Sequence, residues 1–250
     1  MANRRAPIQR SRNSALRGKT ALVTGASRGI GLAIAKALAA QGCNVVIAGR
    51  NSATLKGAAR HLARGRARIV PMVCDVRKPD EIQALAAEIR RQFRRLDILV
   101  NNAGVSHASL PVAKLPLERW REVLETNLTG MFLVTQAALP LMQRGGAIIN
   151  NLSIAAKRTF PGGSAYVASK HGGLGFTKTL REELRPQGIR VIALLPGAAD
   201  TSIWDAFWPD APREKMMSAE TVAQAVVNAV LLPDHSTLEE LTIMPSVGVL

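Results

Sequence analysis

Cysteine, aromatic residues and long apolar runs are all scarce in this 250-residue chain, and the first third has no acid. Only two cysteines occur, Cys43 and Cys74, with no CxxC spacing, and the four histidines do not cluster. Neither a disulfide framework nor a metal site is expected. Both thiols are expected to be buried and reduced, as in the cytosol. No apolar run approaches the ~18 residues of a bilayer-spanning helix. A cytoplasmic protein without a membrane segment is therefore expected. Residues 1–74 carry fourteen Lys/Arg and no Asp or Glu, whereas residues 75–250 carry nineteen against eighteen, so nearly all of the net charge of +15 lies in the first third. Such a field attracts anions. Nucleic acid is not the expected partner, because no recognised module or basic-aromatic alternation accompanies the charge.

What is present is an ordinary globular balance, 47% hydrophobic and 20% charged, in a chain long enough to bury one sizeable core. Residues 1–17 are basic, interrupted by Pro7 and without apolar periodicity, and read as a disordered tail. Their Arg-rich, acid-free character also fits an organelle transit peptide, but they make a poor amphipathic helix, and no hydrophobic region follows Arg4-Arg5 as an export signal would require. From Lys19 short apolar runs alternate with helical stretches. Strands are expected near 19–24, 44–49, 67–74, 98–101, 147–152, 190–195 and 240–244. Helices are expected near 29–41, 52–64, 79–94, 118–143, 164–185 and 218–231. That alternation predicts a single α/β domain over 18–250: a seven-stranded, doubly wound parallel sheet with helices on both faces and right-handed crossovers.

Two stretches carry chemistry. Thr24-Gly25-Ala26-Ser27-Arg28-Gly29-Ile30-Gly31 follows a strand and opens a helix. Glycines there allow a tight turn and close backbone approach, and the helix N-terminus offers free N–H groups and a positive dipole to a pyrophosphate. The second stretch, Ser153 to Lys170, holds the single tyrosine of the chain, Tyr166, four residues before Lys170. On a helix both side chains share one face. A free phenol, with a pKa of about 10, is a weak acid at neutral pH. An ammonium ~5 Å away, at an effective dielectric of ~20, favours the phenolate by roughly 3 kcal/mol, about two pKa units. Ser153 closes the apolar run AIINNLS, and a hydroxyl at a strand's carboxyl end is placed to hydrogen-bond a substrate oxygen.

TGASRGIG at 24–31, NNAG at 101–104, Asn127, Ser153, YVASK at 166–170 and PG at 196–197 together resemble the short-chain dehydrogenase/reductase family over roughly residues 18–250. The resemblance implies a Rossmann-type fold and hydride transfer between a nicotinamide cofactor and a carbonyl/secondary alcohol pair. It implies Tyr166 as general acid/base, Lys170 lowering its pKa and binding the nicotinamide ribose, Ser153 orienting the substrate oxygen, and Asn127 holding a water in a proton relay. For the cofactor it implies the turn residues Gly25, Ser27, Arg28, Gly29, Ile30 and Gly31, with Asp75 and Val76 at the adenine, Asn102, Ala103 and Gly104 lining the dinucleotide, and Pro196, Gly197 and Thr201 at the nicotinamide end.

The second strand ends Ala48-Gly49-Arg50-Asn51, without the acid that commonly binds the ribose 2′-hydroxyl of NAD. Arg50 and Arg28 offer planar guanidinium groups suited to a phosphate, so NADP(H) is expected over NAD(H). In the family the region after Pro196-Gly197, about 198–217, is a mobile flap over the substrate, making Trp204, Phe207 and Trp208 candidate substrate contacts, with Ser106 and His107 at the pocket edge. The partner is expected to be a small carbonyl or alcohol, and the resemblance implies a homotetramer or homodimer. Several motifs look like those of 3-oxoacyl thioester reductases, a narrower alternative. A non-catalytic NADP(H)-sensing or interaction protein that keeps the fold is the alternative from another class, and the intact Asn127, Ser153, Tyr166 and Lys170 weigh against it.

Overall fold

The computed structural model describes residues 15–63 and 67–249. Most of the expected tail, residues 1–14, lies outside them. Residues 16 and 17 do not extend that tail. Leu16 is buried in the core and its N–H donates to the Gln41 carbonyl at 3.0 Å, so the packed structure starts earlier than residue 18.

Seven strands, β1 (Thr20–Thr24), β2 (Asn44–Gly49), β3 (Ile69–Val73), β4 (Ile98–Asn101), β5 (Ala147–Asn151), β6 (Arg190–Pro196) and β7 (Glu240–Ile243), form one parallel sheet in the order 3-2-1-4-5-6-7. β1, β4 and β5 are buried at every position. Their sequences read as continuous apolar runs because both faces of the sheet are covered. The period of two is visible in where the side chains go. Ala21, Val23, Val45, Ile47, Val100 and Ile149 pack in one core with α1 (Gly29–Ala40), α2 (Ser52–Leu62) and α8 (Ala219–Val230). Leu22, Val46, Leu99 and Ile148 pack in the other, with α3 (Pro79–Phe93), α5 (Gly130–Ala138) and α6 (Ser164–Leu184).

The single helix expected over 118–143 is instead a composite. It comprises α4 (Leu117–Leu124), a π turn at Glu125–Thr129, α5, and a 3₁₀ turn at Leu139–Leu141 containing Pro140. Proline lacks the N–H that would continue the ladder. The π turn inserts one residue into it, a device common at functional sites, and holds Asn127. α7 (Trp204–Phe207) is one turn within the flap. Among the described residues no helix is long and apolar enough to cross a membrane.

Candidate active site

Strand order reverses direction between β1 and β4, the position at which open α/β sheets leave a crevice at their carboxyl ends. A cavity of about 680 Å³ opens there. At one end is the glycine turn. Gly25 and Gly29 have φ of +64° and +57°, the left-handed region that glycine enters without a Cβ penalty. The turn is locked from behind. Asn102 Nδ2 donates to the carbonyls of Thr24 (2.9 Å) and Gly25 (3.1 Å), and Thr24 Oγ1 accepts from the N–H groups of Asn102 (3.0 Å) and Ala103 (3.1 Å). A Cβ on Gly31 would lie 2.3 Å from Asn102 Nδ2 and 2.6 Å from the Gly25 carbonyl oxygen. Gly31→Ala is therefore expected to lower the unfolding free energy by about 1–3 kcal/mol, the range of an overpacked interior. Denaturant unfolding checks this, and an unchanged midpoint would show that the turn yields freely.

Arg28, in the turn, and Arg50, at the end of β2, are exposed, line the cavity and take part in no ion pair among the described residues. Asp75 and Val76 line the same end. The Asp75 carboxylate is already gripped by Arg77, whose Nε lies 3.0 and 3.1 Å from its two oxygens and whose Nη2 lies 2.5 Å from Oδ2. That fork holds the Asp75 pKa below the usual carboxylate value, although burial opposes it. Contact with an adenine amino group thus falls to the lone pairs that Arg77 leaves.

At the other end stand the groups of the Ser153–Lys170 stretch. Ser153 follows β5 and caps the 3₁₀ turn Ile154–Ala156, its Oγ accepting the Ala155 N–H at 3.1 Å. Its hydroxyl hydrogen is left to donate elsewhere. Tyr166 and Lys170 share one face of α6, with Lys170 Nζ 5.4 Å from the Tyr166 ring centroid. Lys170 is 5% exposed and donates to the Asn151 carbonyl at 3.1 Å. Burial without a carboxylate partner pulls its pKa down from 10.5 to about 8. The expected pull on the tyrosine is not what the site shows. Burial raises the Tyr166 pKa, and the opposing influence comes from a hydrogen bond with Ser153. The ammonium is turned to the Asn151 carbonyl and the ring face, and the phenol remains in its acid form at neutral pH.

Asn127, 1% exposed, uses its whole side chain as a clamp. Oδ1 accepts the Val105 N–H (2.8 Å), while Nδ2 donates to the Val105 carbonyl (2.9 Å) and to Ser169 Oγ (3.0 Å). It therefore fixes the loop that follows NNAG against α6, one residue before Lys170. Asn151, which sequence reasoning passed over, ties the two ends of the cavity together. Its Nδ2 donates to Asn102 Oδ1 at 2.8 Å and its carbonyl holds Lys170. A paired asparagine at the end of an apolar strand is the signal that could have singled it out.

The flap closes the cavity. Thr201 lies against the glycine turn, its Cγ2 3.3 Å from where a Gly29 Cβ would stand. Trp204 packs edge-on against Phe207 and Trp208 at 6.3 and 6.4 Å, and its indole N–H donates to the Ala199 carbonyl at 2.9 Å. All three rings line the cavity, as do Ser106, Pro196 and Gly197. Arg213, also missed, latches this segment by donating to Asp200 (3.0 Å), the Thr201 carbonyl (2.8 Å) and Asp205 (2.7 Å). His107 does not edge the pocket. It is 4% exposed, outside the cavity lining, with Nδ1 2.7 Å from the Ala108 carbonyl, because the chain beyond Val105 turns the ring inward.

Residues 19–212 match the family model described as short chain dehydrogenase. The chain belongs to the short-chain dehydrogenase family. It is 42% identical over 194 residues, covering 76% of this chain and 78% of the relative, to a 3-oxoacyl-[acyl-carrier-protein] reductase of Synechocystis sp.. A 3beta-hydroxysteroid dehydrogenase of Mediterraneibacter gnavus is 37% identical over 236 residues, 91% of this chain and 84% of the relative. Among solved structures, an alcohol dehydrogenase from the archaeon Thermococcus sibiricus, complexed with 5-hydroxy-NADP, superimposes with a TM-score of 0.85 at 31% identity, covering 91% of this chain and 97% of the other. As a short-chain dehydrogenase the protein is an oxidoreductase, and the cradle fits the family's dinucleotide. The left-handed glycines Gly25 and Gly29 keep the turn free of side chains where a pyrophosphate would approach, and the guanidinium groups of Arg28 and Arg50, unpaired among the described residues, line the same cavity.

Proposed function

We propose that the protein is an NADP(H)-dependent carbonyl reductase/alcohol dehydrogenase, cytoplasmic and assembled as a homotetramer. When bound, the cofactor supplies or accepts the hydride at the substrate carbon. The protein supplies position and the proton. Ser153 donates its hydroxyl hydrogen to the substrate oxygen, and Tyr166 transfers its phenolic proton to that oxygen in reduction or takes one in oxidation. Lys170, held by the Asn151 carbonyl, stands behind the phenol, and Asn127 keeps Val105 and α6 in register.

The observation that carries this reading is the joint placement of Ser153, Tyr166 and Lys170 at one end of the cavity with Arg28 and Arg50 at the other. The raised Tyr166 pKa gives a sign to the pH dependence. The acid form persists through neutrality, so reduction is expected to hold its rate there, whereas oxidation needs the phenolate and is expected to climb with rising pH. Initial rates in both directions across pH check this. An oxidation rate that falls as pH rises would contradict it.

The dinucleotide preference has its own test. Two cations near a 2′-phosphate favour NADPH, and removing one guanidinium costs about 1.5–3 kcal/mol, the worth of a charge-assisted hydrogen bond. Arg50→Ala is expected to weaken NADPH roughly 10- to 100-fold and to leave NADH nearly unchanged in calorimetric titration. Equal loss for both would sink the assignment. The similarity to the Synechocystis reductase supports a narrower reading, reduction of 3-oxoacyl thioesters. Competition between acyl thioesters and simple ketones decides it, and small ketones reacting while no acyl thioester does would remove that reading.

A further inference from the structure

We infer that the substrate of this site is a bulky, apolar, uncharged ketone or its secondary alcohol, and that an anionic keto acid or sugar phosphate is rejected. The inference rests on the reductase reading and adds the chemical class that the pocket takes. Among the described residues four charged ones line the cavity: Arg28, Arg50, Asp75 and Lys170. The first three stand at the glycine-turn end, around the terminus of β2 and the residue after β3. Lys170 is committed to the Asn151 carbonyl and buried to 5% exposure. Beyond Tyr166, then, no cation among the described residues faces the space left for a substrate.

The walls of that space are apolar. Phe160 and Val167 come from the β5–α6 side, and Trp204, Phe207 and Trp208 from the flap. The polar groups there, apart from Tyr166, are uncharged and include the hydroxyls of Ser106, Ser109 and Ser202. The flap aromatics are held in place by the Trp204 bond to Ala199 and by the Arg213 latch, which satisfies both nearby carboxylates, Asp200 and Asp205, outside the cavity lining. The exposed cations on the β5–α6 segment point away. Lys157 pairs with Glu240, and neither Lys157 nor Arg158 lines the cavity. A ligand carboxylate entering this end would lose its water without gaining a counterion, which costs far more than an apolar ring gains by stacking. Aromatic walls of this kind repay flat or alicyclic carbon skeletons.

Ternary binding tests this apart from catalysis. Quenching of tryptophan fluorescence in the NADP+ complex, which cannot reduce a ketone, is followed with 2-tetralone and with its 6-carboxylate. The ketone is expected to bind, and the carboxylate about 100-fold more weakly. The flap variant Trp204→Ala is expected to weaken 2-tetralone at least about tenfold. Ala206→Lys, which adds a cation on the cavity side of α7 at an exposed position, is expected to narrow the discrimination at least about tenfold. Equal binding of ketone and carboxylate to the wild type overturns the inference whether or not turnover follows. Binding of 2-tetralone with the predicted selectivity but without reduction when NADPH replaces NADP+ upholds the pocket's class and refutes the reductase reading instead.

Discussion

Tyr166→Phe is expected to reduce turnover by roughly 10²- to 10⁴-fold, the usual worth of a positioned general acid, while NADPH binds as before. The substitution removes one oxygen and keeps the ring that lines the cavity. The ring also stays available to Lys170, whose Nζ lies 5.4 Å from its centroid, so the lysine keeps its surroundings. Lost with the oxygen are the hydrogen bond with Ser153 and the proton donor. Steady-state kinetics alongside calorimetric NADPH titration separates the two effects. Turnover within a few-fold of wild type would remove Tyr166 from its role, and a parallel loss of NADPH binding would make it a cofactor contact instead.

Lys170→Met is expected to oppose stability and activity. The lysine is buried with a pKa of about 8 against 10.5, so at neutral pH its charge costs the folded state roughly 3 kcal/mol at 1.36 kcal/mol per unit. Removing the ammonium relieves that cost and leaves the Asn151 carbonyl without its partner, a loss of about 1–3 kcal/mol. The variant should therefore unfold at the same midpoint as wild type or a higher one at pH 7, while turnover falls at least about 100-fold. The sign with pH follows from proton counting. The folded state releases the Lys170 proton near pH 8 and the unfolded chain near 10.5, so between these values wild type gains stability relative to the variant as pH rises. Paired unfolding curves at pH 7 and 10 check both statements. A variant less stable than wild type at pH 7, with the gap closing toward pH 10, would mean that the ammonium is welcome where it sits.

The fold was legible because a parallel sheet buried on both faces writes itself as apolar runs, and glycines and amphipathic helices punctuate them. Ile98–Asn101 and Arg190–Pro196 fall within a residue of their expected ends. β3 is shorter than expected, Ile69–Val73 rather than 67–74, and alternates between half-buried and exposed positions as the edge of the sheet. The cavity-lining residues of the cofactor and catalytic motifs were legible too, because their spacing is local. What was not legible depends on contacts made across the fold. Asn127 is buried within the π turn at no unpaired cost because Val105, 22 residues upstream, supplies the backbone groups that satisfy its amide. The raised pKa of Tyr166 reflects burial, opposed by a hydrogen bond with Ser153, neither of which a four-residue spacing encodes. Arg213 meets its partners at Asp200 and Asp205 only once the flap folds back, and an arginine between Pro212 and Glu214 carries no periodic signal. His107 follows a motif that faces the cavity, yet the backbone turns it into the protein two residues after Val105.

The most direct test of the account is product formation from a panel of uncharged ketones supplied to the wild-type protein with saturating NADPH and, separately, with NADH. The account predicts alcohol formed with matching loss of the reduced dinucleotide, faster with NADPH than with NADH. NADPH that binds while no ketone is reduced, or faster reduction with NADH, would contradict it.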